Sequence, residues 1–212
     1  MAVMNSPQRI EARSFELIDG FLKGVKFTDQ SRKDVVKRVI HTTVDVRYAK
    51  DLLFSGQAVE AGISAIRRGE NIVVDSSMVK AGINKNITAH FKNTIICRIN
   101  NKDVIRQASK LNLTRAIVAM RRSYRVMEGA IVAIGNAPTA LFELCDLIKE
   151  AKAKPALVVG IPVGFVGARE SKKKLLALRI PYITNKSRRG GSTVAAAIVN
   201  ALLILAKNKE MK

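Results

Sequence analysis

Apolar residues recur at intervals of three and four along much of the chain, which is the periodicity of helices that bury one face. This pattern predicts helices at SFELIDGFLK, DQSRKDVVKRVI, GQAVEAGISAIRRGE, KDVIRQASKLN, TRAIVAMRRSYRVMEG, APTALFELCDLIKEAK, ESKKKLLALR and STVAAAIVNALLILAK. Asp29 or Ser31 is expected to cap the second helix. Gly69 and Gly129 are expected to end the third and fifth, because glycine accepts the left-handed conformation that follows a helix.

Short apolar runs rich in β-branched residues lie between these helices, and they do not alternate with polar residues. The predicted strands are NIVVD, NTIICRI, AIVAIG, PALVVGI and PYITN. Strands buried on both faces have this composition, which favours a parallel sheet with helices on each side. We predict an α/β fold: a three-layer α/β/α, doubly wound sheet of about five mainly parallel strands, with residues 1–212 as a single domain.

The net charge is the most unusual feature of the composition. Lys and Arg number 37 against 17 Asp and Glu, which gives a formal charge of +20. Such a balance favours an anionic partner, such as nucleic acid, acidic lipid, or a polycarboxylate or phosphate ligand. The basic clusters are short, however, as in the KKK run at residues 172–174. Aromatic residues are 5% and Trp is absent, so a nucleic-acid-binding protein is a disfavoured alternative.

Neither a membrane protein nor a metalloprotein is predicted. No apolar run reaches the ~18 residues of a membrane span, and the first residues lack the layout of a secretion signal, so we expect a cytoplasmic protein. The two cysteines, Cys97 and Cys145, lie in apolar runs without the paired spacing of a metal or redox motif. We expect both to be small buried side chains.

Three glycine-containing loops follow predicted strands, where ligands bind in doubly wound sheets. In GIPVGFVGARESK the glycine spacing fits no nucleotide fingerprint. Its Val163, Phe165 and Val166 are expected to form an apolar wall for a large flat ligand. In AIGNAPTAL, free N–H groups at Gly135, Asn136 and Ala137 are expected to bind an anion such as a carboxylate.

The third loop, NKSRRGGSTV, places Arg188 and Arg189 immediately before Gly190 and Gly191 at a helix start. Guanidinium groups beside a helix N-terminus bind carboxylate or phosphate well. Three such loops at one edge of the sheet predict a large anionic ligand.

His41, in KRVIHTTVD, is the candidate for moving a proton. The other histidine, His90, has no polar neighbours in sequence. An imidazole suits acid–base work near neutral pH. Thr42, Thr43 and Asp45 are the candidates to orient the ring of His41, and the sequence does not choose between them.

A family resemblance rests on motifs that occur in a fixed order. They are IEARSFELI, VKRVIHTTVD, VVDSSMVKAGI, LTRAIVAM, AIGNAPTALFELCDLI, PALVVGIPVGFVGARESK and PYITNKSRRGGSTVAAAIVNALL. From about Ile10 to Leu203 the chain resembles the precorrin-8X methylmutases, or precorrin isomerases, of cobalamin (vitamin B12) biosynthesis. It departs from the common pattern at Val44, where Gly or Ala is usual, and at Ser187, where Gly is frequent.

The resemblance implies a homodimeric, flavodoxin-like enzyme without its own cofactor or metal. It implies migration of a methyl group from C11 to C12 of the corrin macrocycle, which gives hydrogenobyrinate, or cobyrinate when the ring holds cobalt. The family's catalytic histidine corresponds to His41 in RVIHTT. The residues expected to contact the polycarboxylate tetrapyrrole are Arg13, Ser14, Thr42, Thr43, Met78, Arg115, Asn136, Gly160, Gly164, Arg188, Arg189, Gly190 and Gly191. A non-catalytic corrinoid carrier is the alternative with the same fold.

Overall fold

The computed structural model describes residues 6–210 and places six β-strands in one sheet within that range. The strands are β1 (Leu52–Phe54), β2 (Ile72–Val74), β3 (Ile95–Ile96), β4 (Ile131–Ile134), β5 (Leu157–Gly160) and β6 (Tyr182–Asn185). The helices are α1 (Pro7–Phe21), α2 (Gln30–Thr43), α3 (Tyr48–Asp51), α4 (Ala58–Arg67), α5 (Ser77–Gly82), α6 (Lys85–His90), α7 (Lys102–Leu111), α8 (Arg115–Ser123), α9 (Pro138–Lys149), α10 (Ala168–Leu176) and α11 (Ser192–Glu210). The predictions of a single domain over residues 1–212 and of no targeting signal also involve residues outside the described range.

The sheet order is β1-β6-β5-β4-β2-β3, and every neighbouring pair is parallel except β1 with β6. In chain order the parallel strands are arranged 2-1-3-4-5, which is the flavodoxin-like form of the doubly wound fold. The predicted α/β class and the mainly parallel sheet are confirmed. The edge strand β1 was not predicted, because three residues are too few to show a pattern.

Alternate residues of each strand face opposite layers of helices. In β5, Leu157 and Val159 pack in a core with α2, α4 and α11, whereas Val158 packs in a second core with α8, α9 and α10. All four residues of β5 are buried. Helices on both faces therefore explain the continuous apolar composition of the strands, and the three layers are confirmed.

Helix α11 is the longest in the described part of the chain, with 19 residues. It packs against α2, α4 and α5, and most of its first four turns are buried. None of the helices within residues 6–210 combines the length and the hydrophobicity that a membrane crossing requires.

The predicted helix ends are largely those observed. Asp29 caps α2 by accepting a hydrogen bond from the backbone N–H of Arg32 at 2.8 Å. Gly69 follows α4 with a φ of +74°. Helix α8, however, ends at Ser123 and continues as a 3₁₀ turn over Tyr124–Val126, so Gly129 follows that turn and not the helix.

Candidate active site

The candidate site lies at the carboxyl edge of the parallel strands. The strand order reverses between β2 and β4, which is where doubly wound folds bind ligands. The loops after β2, β4, β5 and β6 meet at this edge. The end of α2 joins them through Asp45, whose carboxylate lies 3.5 Å from the guanidinium of Arg189. The structure thus brings the helix of His41 to the basic loop (residues 186–191).

His41 lies in the last turn of α2 and is held by α1. Its Nδ1 is 2.9 Å from the hydroxyl oxygen of Ser14. Its ring stacks on Phe15, with centroids 5.1 Å apart and an angle of 23° between planes. Lys37 and Arg38 also lie against the ring of Phe15, with cationic atoms 5.2 and 4.8 Å from its centroid. Ser14 and Phe15 therefore fix both the hydrogen bonding and the plane of the imidazole.

The hypothesis that Thr42, Thr43 or Asp45 orients His41 is wrong. The hydroxyls of Thr42 and Thr43 donate to the carbonyls of Arg38 and Val39 in their own helix, at 2.9 and 2.8 Å. Asp45 pairs with the nearby side chain of Arg47, which holds the pKa of that carboxyl below its usual range. Back-bonding of this kind is the common behaviour of threonine in a helix.

The loop after β4 binds a carboxylate, but the carboxylate belongs to the chain. Asp75, at the end of β2, accepts hydrogen bonds from the backbone N–H groups of Gly135, Asn136 and Ala137 at 3.1, 2.8 and 2.7 Å. The prediction that these three N–H groups are free to bind a ligand is therefore wrong. Burial raises the pKa of Asp75, and the three N–H groups offset part of that effect.

The loop after β5, residues 161–167 (the apolar loop), presents large hydrophobic side chains to solvent. Phe165 is 91% exposed and Val166 88% exposed, and Val163 is also exposed. This is the predicted apolar wall. Gly160, by contrast, is buried inside β5, where a Cβ atom would lie 2.5 Å from Leu175. Its expected contact with a ligand is corrected to a packing role.

The basic loop is built tightly against the apolar loop. The N–H of Gly191 donates to the carbonyl of Ile161 at 3.0 Å, and the N–H of Gly164 donates to the carbonyl of Arg188 at 3.3 Å. Gly190 has a φ of +151°, and a Cβ atom there would lie 2.1 Å from the carbonyl oxygen of Ile161. Only glycine fits this position.

The two arginines of the basic loop differ in their surroundings. The guanidinium of Arg189 lies 3.5 Å from Asp45, 3.3 Å from Asp51, and over the ring of Tyr48. Tyr48 is buried, and desolvation raises its pKa to about 12. Arg188 is exposed and forms no ion pair with any of residues 6–210. Arg188 is therefore the arginine available to an added anion.

The remaining predicted substrate contacts lie around this edge or on α1. Met78 is 65% exposed in the first turn of α5, and the side chain of Asn136 is exposed beside α9. Arg115 opens α8, where the Thr114 hydroxyl links to α9 through Thr139 at 3.2 Å. Arg13, on α1, pairs with Glu16 on the surface. These roles stay predictions.

Three further residues shape the site without having been predicted. They are Phe15, Asp51 and Lys172. Nothing in the local sequence marks Phe15 or Asp51, since their partners are distant in the chain. Lys172 had a signal: it shares the spacing of the buried α10 residues Ala168, Ser171 and Leu175.

Comparison with known proteins decides the family. The precorrin-8X methylmutase family model matches residues 9–205. The chain belongs to the precorrin-8X methylmutase family. The cobalt-precorrin-8 methylmutase of Priestia megaterium is 49% identical over 94% of this chain and 88% of its own length. That of Methanocaldococcus jannaschii is 39% identical over 99% of both chains.

A solved structure of the precorrin-8X methylmutase from Thermus thermophilus has the same fold. It aligns with a TM-score of 0.90 and 37% identity, over 95% of this chain and 97% of that chain. The resemblance drawn from the motifs is confirmed.

The two residues that depart from the common precorrin-8X methylmutase pattern, Val44 and Ser187, each change the local structure. Val44 ends α2 with a φ of +54°, a conformation that favours glycine and strains a β-branched residue. The hydroxyl of Ser187 donates to Asp51 at 2.6 Å, a contact that glycine cannot make. The first departure lies in the turn after His41 and the second in the basic loop.

Proposed function

We propose that this protein is an isomerase of cobalamin biosynthesis that moves a methyl group from C11 to C12 of precorrin-8X or cobalt-precorrin-8. The observation that carries the proposal is membership of the methylmutase family over residues 9–205. The product is hydrogenobyrinate, or cobyrinate when cobalt is already in the ring. Cobalt belongs to the substrate in this scheme.

His41 supplies the proton chemistry in the proposed reaction. The methyl group breaks its bond to C11 and forms one to C12, so no atom is gained or lost. Protonation of the macrocycle near the migrating group polarises the conjugated system, and the proton is returned afterwards. The contact between Ser14 and Nδ1 leaves Nε2 as the nitrogen to face the substrate. Stacking on Phe15 fixes the direction in which Nε2 points.

The macrocycle is held by the apolar loop and the basic loop together. Val163, Phe165 and Val166 offer exposed hydrophobic surface to the face of the ring. Arg188 offers a guanidinium to an acetate or propionate at its edge. The two loops are joined by the hydrogen bond between Gly164 and Arg188, so both surfaces lie at one place.

The decisive experiment is incubation of the protein with precorrin-8X and with cobalt-precorrin-8, followed by absorption spectra. We expect conversion to the spectrum of hydrogenobyrinate or cobyrinate. Tight binding of both corrinoids without conversion would instead show a carrier. Binding of mixed-sequence DNA at moderate salt as tight as binding of the corrinoids would contradict the proposal altogether.

Replacing Arg188 with alanine is expected to weaken product binding by about one to two decades. A charge-assisted hydrogen bond is worth roughly 1.5–3 kcal/mol, and about 1.4 kcal/mol corresponds to tenfold. The thermal midpoint should stay unchanged, because Arg188 is exposed. Titration of the product, followed by absorption, measures the affinity.

Arg189→Ala is the comparison variant for this prediction. It breaks the ion pairs that Arg189 makes with Asp45 and Asp51, so we expect it to lower the thermal midpoint as well as the affinity. An unchanged affinity in Arg188→Ala would assign this arginine to the solvated surface.

The protein is expected to be a homodimer in solution. The family resemblance implies this, and exposed apolar side chains outside the apolar loop, such as Leu17, Phe21 and Val44, give the monomer surface to cover. Light scattering at low micromolar concentration should give about twice the chain mass of 23.2 kDa. A mass near that of one chain would refute the dimer.

A further inference from the structure

Lys172 is completely buried, although it begins a run of three lysines. Lys173 is exposed, and Lys174 pairs with Asp146 of α9 at 2.6 Å. A buried lysine loses favourable hydration, so the fold keeps one only where its ammonium group has partners. The position of Lys172 in α10 turns its side chain towards the basic loop.

The ammonium group of Lys172 holds the backbone on both sides of Arg188. Its Nζ donates to the carbonyls of Ser187 at 2.9 Å and Arg189 at 2.6 Å. The carbonyl between them, that of Arg188, accepts from the N–H of Gly164 at 3.3 Å. Three successive carbonyls are therefore bound, whereas the side chain of Arg188 projects into solvent.

Asp51 completes the support from the other side. Its carboxylate accepts hydrogen bonds from the Ser187 hydroxyl at 2.6 Å and from the Asn185 amide at 2.8 Å, and it pairs with Arg189. Burial lowers the pKa of Lys172 to about 8, and the negative charge of Asp51 offsets part of that effect. The other charged groups around Lys172 have partners of their own: Arg189 pairs with Asp51, and Asp146 of α9 pairs with Lys174.

We propose that Lys172 is a positioning residue, which fixes the backbone around Arg188 so that the guanidinium meets a substrate carboxylate beside the apolar loop. The inference rests on the proposed function, because it needs a carboxylate-bearing ligand. Lys172 itself touches no ligand. Its contribution to binding passes through Arg188, and this separates the proposal from a general role in stability.

A double-mutant cycle between Lys172 and Arg188 tests this coupling. Lys172→Met is expected to weaken product affinity about tenfold while kcat stays within about twofold, because it weakens the charge-assisted hydrogen bond of Arg188, which is worth roughly 1.5–3 kcal/mol when well placed. In an Arg188→Ala background the same change should have no further effect on affinity. Lys173→Met is the control for charge and should leave affinity and turnover unchanged.

The pH dependence of the unmodified chain gives a second readout. Above pH 8 the folded Lys172 loses its charge, so its bonds to the basic loop weaken. Product affinity should fall between pH 8 and pH 10 in the wild type and less so in Arg188→Ala. The free energy of unfolding changes in the other direction from the affinity. Between about pH 8 and pH 10.5 the unfolded chain holds the Lys172 proton and the folded chain does not, so the contribution of this group to the free energy of unfolding rises with pH.

The outcomes separate this inference from the proposed function. Absence of turnover and of corrinoid binding in the wild type would overturn the proposed function. Normal turnover with wild-type affinity in Lys172→Met, or equal effects of that change with and without Arg188, would overturn the role of Lys172 alone. If Lys172→Met does not fold, the pH comparison between wild type and Arg188→Ala decides, and parallel profiles would refute the coupling.

Discussion

His41→Ala is expected to lower the turnover of precorrin-8X by about 10²–10⁴-fold, the usual contribution of a general acid. Product affinity should change little, because binding is assigned to the apolar loop and to Arg188. Single-turnover absorption measurements give the rate, and product titration gives the affinity. This combination of a large rate loss with intact binding is what a proton donor predicts.

Three further variants sharpen the assignment of His41. His41→Asn keeps hydrogen bonding but cannot titrate, so it should be nearly as slow as His41→Ala. Ser14→Ala removes the partner of Nδ1 and should give a smaller loss. His90→Ala is the matched control, since His90 pairs with Glu210 on the surface. Normal turnover in His41→Ala would make this histidine structural.

Asp75→Ala is expected to lower the free energy of unfolding by about 1–3 kcal/mol. It removes the acceptor of three consecutive N–H groups. That of Gly135 is buried, and one unsatisfied buried donor costs about 1–3 kcal/mol, whereas those of Asn136 and Ala137 lie nearer to solvent. Urea denaturation measures the change. Asp103→Ala, at an exposed aspartate, is the control and should stay within about 0.5 kcal/mol of wild type.

The pH dependence of stability gives an independent check on Asp75. Its pKa is raised in the folded state, so above pH 3.8 the folded chain binds more protons at this group than the unfolded chain. The contribution of Asp75 to the free energy of unfolding therefore declines as pH rises from about 3.8 to the raised pKa of the folded state. Asp75→Asn should abolish this decline. Wild-type stability in Asp75→Ala would show that water or another group satisfies the loop equally well.

The sequence predicts the repeating elements well because each carries its own periodic signal. The parallel strands β2 to β6 and the long helices were all predicted, since burial on a sheet or on one helix face repeats over many residues. The strand β1 has only Leu52, Leu53 and Phe54, and its place at the edge depends on pairing with β6. No local pattern encodes that pairing.

The site was predicted at the level of loops and missed at the level of contacts. The anion-binding geometry of the loop after β4 was anticipated, but the sequence did not show that Asp75, sixty residues earlier, fills it. Likewise the neighbours of His41 in sequence were expected to orient it, whereas the contact comes from Ser14 on another helix. Contacts between distant segments follow from the packing of whole elements, which single-sequence patterns do not specify.

The support of the basic loop by Asp51, Gly164 and Lys172 has an entropic consequence for ligand binding. Fixing the backbone of one residue costs about 1–2 kcal/mol at room temperature. A loop rich in Lys, Arg and Gly would ordinarily meet that cost when its ligand arrives. Here contacts within the fold already fix the backbone of this loop, so its ordering cost falls on folding, and only the side chain of Arg188 remains to be ordered by a ligand.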